Sequence, residues 1–184
     1  MPLSKSQAVG LAAMVLLAVA CPLAQASAGP REIDAAAYAT LERLFYRVQG
    51  SRELASRAAG VLVFPTVVKA GFGFGGEYGE GALLVHGQTA GYYNDVSGSF
   101  GFQLGAQSRS VVIMFMTPEA LDGFARRDGW KAGVDGSVTL ISVGAGGAVD
   151  TNTARSPAVG FIFGQQGLMY NLTLEGSKIS RIYR

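Results

Sequence analysis

The 184-residue chain is short of cysteine and histidine, with one of each, Cys21 and His86. A lone cysteine cannot close an intramolecular disulfide, so the domain must be held by its own core. Neither a Cys–His catalytic pair nor a His-rich zinc site can be assembled from this inventory. Charge is scarce as well, at 15% of residues, and the two signs nearly balance. With Lys5 in the N-terminal leader set aside, 14 basic residues face 13 acidic ones. That balance argues against a nucleic-acid partner, which a clear basic excess would advertise. What is abundant is apolar residues, at 49%, and glycine, at 26 residues without a collagen period. The composition is that of a folded domain rather than a disordered or fibrous chain.

Met1–Gly29 reads as a targeting segment. Lys5 supplies a positive n-region, and the apolar run Ala8–Ala20 is too short to span a bilayer. Two cleavages compete. Ala24-Gln25-Ala26 has the A-x-A form of ordinary signal processing and gives a signal peptide over residues 1–26. Ala18-Val19-Ala20-Cys21 is similar to a bacterial lipobox, which gives a leader of residues 1–20 and lipidation at Cys21. The expected product is exported, either free in the periplasm or secreted, or anchored at the outer membrane as a lipoprotein. Residues 31–184 then form a single domain.

Arg31–Gly60 predicts two helices. Asp34 is the expected N-cap of the first, with Tyr38, Leu41, Phe45 and Val48 on one face. Gly50 ends it, and Ser51 opens a shorter helix carrying Leu54, Ala58 and Ala59. Arg43, Arg47, Arg52 and Arg57, interspersed with Glu42 and Glu53, form either a solvated face or a cationic surface beside a membrane. From Val61 the period changes to two. Short strands are expected at Val61–Phe64, stopped by Pro65, then at Thr66–Lys69 leading into Lys69–Gly81, at Ala82–His86, Thr89–Tyr93, Ser99–Gln107 and Val111–Met116. Gly87-Gln88 and Asn94-Asp95 are turn signals. Val111–Met116 is apolar on both faces, as in a strand covered on both sides. Thr117-Pro118-Glu119 starts a third helix with Leu121, Phe124 and Ala125 as its buried stripe. Strands return at Val134–Val143, Ala158–Phe163 and Leu168–Leu174, with a Gly144–Gly147 turn between the first two. The fold class is α+β and predominantly antiparallel β: a curved sheet or partial barrel with two N-terminal helices and one mid-chain helix.

Lys69–Gly81, K-A-G-F-G-F-G-G-E-Y-G-E-G, is the stretch to explain. Gly71, Gly73 and Gly75 alternate with Phe72, Phe74 and Gly76, and glycines inside a strand imply close approach of a backbone, a ring or a ligand. Gly71, Gly73 and Gly76 spell G-x-G-x-x-G, but they lie within a strand and more strand follows, so dinucleotide binding is not expected. Glu77 and Glu80 are three apart, on opposite faces of a strand, and make a poor general acid/base pair. Asp122, Asp128 and Asp135 lack a calcium-loop spacing. His86 is expected to make ordinary hydrogen bonds at a strand end. No enzyme, metal or cofactor is expected. An outer-membrane barrel is disfavoured by the helices and by the few, irregular strands.

Three segments carry a resemblance. They are A-A-G-V-L-V-F-P-T-V-V-K-A-G-F-G-F-G-G-E-Y-G-E-G, then G-S-F-G-F-Q-L-G-A-Q-S, then G-L-M-Y-N-L-T-L-E-G-S-K-I-S-R. From about Leu54 to Arg181 the chain resembles the SYLF domain in its exported bacterial form. The resemblance implies a lipid-binding module rather than an enzyme. Eukaryotic members bind phosphoinositides and other acidic lipids, and some bind actin, which is not a partner expected of a bacterial envelope protein. The family pattern places a lysine before the glycine strand, matched by Lys69, and a glycine-lysine pair near the end, matched by Gly176 and Lys178. Physically, an acidic headgroup needs cations, which Lys69, Lys178, Arg181 and Arg184 can supply, and a backbone open to close approach, as at Gly71, Gly73 and Gly75. The expected partner is anionic phospholipid or a membrane surface. The competing expectation is a structural or protein-interaction module of the envelope with no lipid ligand and a protein partner of unknown kind.

Overall fold

The computed structural model describes residues 28–143, 155–167 and 177–184. Its first elements are helices α1 (Pro30–Arg47) and α2 (Ser51–Arg57). α1 starts where Pro30, with its fixed φ, occupies the first turn and Glu32 reaches back to accept the Gly29 N–H at 3.1 Å. Asp34, expected as the cap, instead sits inside α1. There it accepts hydrogen bonds from Thr89 at 2.8 Å and Tyr92 at 3.1 Å, tying the helix to the sheet. Ile33, Ala37, Leu41 and Leu44 form the buried stripe of α1, and Tyr38 is exposed.

The run of short strands expected between Val61 and Met116 fuses into one long hairpin of β1 (Gly60–Val85) and β2 (Gln88–Phe115). Pro65 does not stop β1. The missing N–H is absorbed by a register shift between Phe64 and Val67, and the Ser110 hydroxyl donates to the Pro65 carbonyl at 2.7 Å. Asn94-Asp95 is not a turn; these residues lie inside β2, opposite Glu80 and Gly79. The turn falls at His86-Gly87, with φ 51° and 75°, the two left-handed residues of a tight hairpin connection. His86 is therefore an exposed turn residue.

α3 (Pro118–Ala125) follows, capped by Thr117 Oγ1, which accepts the Ala120 N–H at 3.2 Å. Phe124 is its buried residue; Ala125, expected in the stripe, is exposed. The remaining described strands are β3 (Trp130–Lys131), β4 (Thr139–Ser142), β5 (Ala158–Gly167) and β6 (Lys178–Ile182). Strand formation in Val134–Val143 is limited to the four residues of β4, and both Gly144–Gly147 and Leu168–Leu174 lie outside the described residues, as does the leader with Cys21. β2 organises the sheet: β1 runs along one edge, while β6 and β5 share the other, β6 opposite Tyr92–Val96 and β5 opposite Gln107–Phe115. Only β4 and β5 run parallel among the described strands. The result is the expected α+β fold, a mostly antiparallel sheet curved into a half-barrel.

Alternation along the strands sends side chains into two cores. Val112 and Met114 face α1 and α2, packing with Leu44 and Leu54, whereas Val111, Ile113 and Phe115 face α3. On that second side the Phe124 ring lies 4.8 Å from Phe115, 4.9 Å from Tyr93 and 5.5 Å from Trp130. Val111–Met116 is thus covered on both faces. The curvature also brings β1 back onto itself. A Cβ at Gly79 would lie 2.8 Å from Val67 Cγ2 and 2.9 Å from the Thr66 carbonyl, and one at Gly81 would collide with the Val63 carbonyl. Glycine is what permits this self-approach.

Candidate functional site

A groove of about 1000 Å³ opens between the start of α1 and the hairpin. Ile33 and Ala36 of α1 form one wall; Val68 and Ala70 of β1 form the floor; Tyr78 and Val96 continue it across to β2. The strand period places Val68, Ala70, Tyr78 and Val96 on the α1 side of the sheet. At 43% exposure each, Tyr78 and Val96 present apolar surface to solvent at the groove.

Register carries that surface onward. Tyr78 pairs with Val96, Val96 with Lys178 and Lys178 with Lys131, giving one row across β1, β2, β6 and β3. Two lysines are therefore cross-strand partners next to an apolar groove. Like charges directly opposite each other destabilise a sheet. Both lysines are exposed, and neither joins an ion pair among the described residues. The Lys178 stem lies against Gly129, where φ is 77° and a Cβ would strike it. The row can accept an anion at its lysine end and hydrocarbon at its tyrosine–valine end.

The other expected cations are placed differently. Arg184 is ion-paired with Glu80 at the groove, and Tyr78 donates to the same carboxylate at 2.6 Å. Burial and that acceptor push the Tyr78 phenol up to about 12. Arg181 follows Ile179 onto the α3 side and approaches the Ala90 carbonyl at 3.4 Å. Lys69, opposite Gln107, is on the same side as Val67 and Arg109. Gly71 faces Gly105 and Gly75 faces Ser99, while Gly73 lies in the register shift between Phe72 and Phe74. Of the expected cations, then, Lys178 is the one on the groove side that joins no ion pair among the described residues. Lys131 was not singled out from the sequence, because only the β3–β6 pairing, 47 residues apart, makes it a partner of Lys178.

On the α3 side, behind the groove, lies a cluster that local sequence does not announce. Glu77 and Arg109 form an ion pair with side chains 3% and 2% exposed. Asp95, fully buried, is their neighbour, and neither of its oxygens reaches a hydrogen-bond partner; Ser177 lies beside it but outside hydrogen-bond geometry. Burial raises the Glu77 carboxyl, partly offset by Arg109 and then Lys69. Burial, followed by the Glu77 charge, pushes Asp95 up to about 7.

The described residues thus form a curved sheet with an apolar groove and a lysine row that joins no ion pair among them. Residues 96–182 match the family model described as Ysc84, Las17-binding protein actin regulator. Over that segment the chain is similar to the SYLF domain family, a family of non-catalytic binding domains associated with lipid. The matched segment begins in β2, so β1 with its glycines lies outside it. No curated protein matches the chain.

Proposed function

We propose that this protein is a non-catalytic phospholipid-binding module of the bacterial cell envelope that docks on anionic lipid. The observation carrying this reading is the Tyr78–Val96–Lys178–Lys131 row, in which cross-strand cations with no acidic partner among the described residues adjoin an apolar groove. The headgroup phosphate sits at Lys131 and Lys178, and an acyl chain lies over Val96 and Tyr78 along Val68 and Ala70. Glu32 and Glu80 at the groove disfavour the opposite orientation, since they would repel an anionic headgroup there. The leader-like sequence of residues 1–29 supports an exported location, periplasmic or anchored through Cys21. The actin association in the family description does not suit such a location.

Each lysine contributes roughly 1 kcal/mol at an anionic surface, so Lys131→Ala with Lys178→Ala is expected to weaken binding by about 2 kcal/mol, close to thirtyfold. The measurement is co-sedimentation with vesicles of phosphatidylcholine alone and with added phosphatidylglycerol, at low and high salt. Binding that requires phosphatidylglycerol, weakens with salt and drops in the double variant supports the reading. Equal binding to both vesicles, or none, sinks it and favours a protein-interaction module.

A further inference from the structure

The buried cluster behind the groove holds two carboxylates, Glu77 and Asp95, and one guanidinium group, Arg109. Glu77 comes from the second half of β1, Asp95 from the first half of β2 and Arg109 from its second half. Glu77 pairs with Ser97 and Gly79 with Asp95, so the two carboxylates are diagonal neighbours on one face. Arg109 pairs with Val67, and Val67 lies against Gly79. The guanidinium therefore meets Glu77, 32 residues away, only because the hairpin is folded back on itself.

We propose that Glu77, Asp95 and Arg109 form a proton-operated latch that holds the hairpin folded and, through Glu77, steadies one wall of the groove. For its effect on binding, the latch rests on the lipid-docking reading; for its existence it does not. Among the described residues, the other ionisable groups on this face are Lys69 on β1, Tyr93 on β2 and Arg181 on β6; α3 and β3 contribute apolar Phe124 and Trp130. With Asp95 protonated, the interior holds a neutral carboxyl beside a matched Glu77–Arg109 pair. When Asp95 ionises, a second carboxylate faces Glu77 in a buried site, where neither of its oxygens has a hydrogen-bond partner and the Arg109 charge and the neighbouring Ser177 offset the repulsion only in part. The repulsion bears on Glu77 and Gly79, which also line the groove. The groove is thus firm on the acid side of neutrality and loosened on the alkaline side.

The test compares the full chain with Asp95→Asn, which is permanently neutral and nearly isosteric. Two quantities are followed from pH 5.5 to 8.5: amide exchange at Glu77–Glu80, corrected for the intrinsic pH dependence of exchange, and co-sedimentation with phosphatidylglycerol vesicles. In the wild type, protection and vesicle binding are expected to fall severalfold as pH rises through 7, whereas Asp95→Asn keeps its acid-side values throughout. Parallel pH profiles for the two proteins overturn the latch. Should Asp95→Asn fail to fold, Asp95→Ser removes the same charge with a smaller neutral side chain, leaves the Glu77–Arg109 pair in place and must likewise flatten exchange at Glu77–Glu80. If vesicles bind neither protein at any pH, the lipid reading has failed, and the exchange profiles alone decide the latch.

Discussion

The α3 side of the sheet has two ends built from the same two strands. At one end Val111, Ile113 and Phe115 meet Phe124 and Trp130. At the other, a few residues back along β2, Gln107 and Arg109 face Glu77, Asp95 and Ser177. Both ends are closed to water. The first gains free energy from every apolar surface it buries. The second spends some of that gain on desolvating charges, and what it obtains in return is a conformation that depends on ionisation. Gln107 illustrates the cost: it is buried with neither atom of its amide paired. The apolar end accounts for why the hairpin folds, and the polar end for why its fold can respond to conditions.

The largest expected effect comes from leaving one charge of the polar end alone. Arg109→Ala should destabilise by about 3–5 kcal/mol in a denaturant melt, because Glu77 stays buried without its partner. Removing both charges together, with Glu77→Leu and Arg109→Met, should recover most of that loss. Phe115→Ala at the apolar end should cost a similar 3–5 kcal/mol, but a cavity has no such compensating second substitution. If the double variant is no more stable than Arg109→Ala, the two ends are not different in kind.

A smaller effect is expected from pH. The folded state raises Asp95 from 3.8 to about 7 and raises Glu77 in the same direction. The folded protein therefore binds these protons more tightly than the unfolded chain. The Asp95 contribution to stability is complete below pH 4 and lost as pH climbs to 7, an effect on the order of a few kcal/mol. Melts of the wild type against Asp95→Asn across that window check the sign: the wild type should lose stability relative to the variant as pH rises. The smallest effect belongs to the surface. Arg126 and Asp122 pair at 2.8 Å on α3, but both are well exposed. Arg126→Ala should change stability by roughly 0.5 kcal/mol or less, without altering the pH profile.

The polar end was the part least legible in the sequence, for identifiable reasons. Asn94-Asp95 carries a strong local turn signal, and propensity alone assigns it to a loop. Its placement inside β2 comes from pairing with β1 on one side and β6 on the other. Glu77 was visible as a strand residue facing away from Glu80, yet its true partner is 32 residues off and reaches it through the fold. Pro65 likewise looks like a terminator until a register shift and the Ser110 hydroxyl accommodate it.

Periodicity by itself determined the class: helices with a period of 3.6 ahead of alternating strands, a strand at Val111–Met116 apolar on both faces, and a third helix with its cap at Thr117. These features are local, set by which residues lie a few positions apart, so they can be read from the chain alone. The composition likewise dictated a domain without disulfides. Tertiary structure decided how many strands there are, by fusing six short ones into a hairpin. It also decided which glycines are needed for close approach, Gly79 and Gly81 among them, and which lysines stand side by side. Those outcomes depend on the bend that folds β1 back and on pairings tens of residues apart, and closing such distances is governed by the packing of the whole sheet rather than by any residue's own preference.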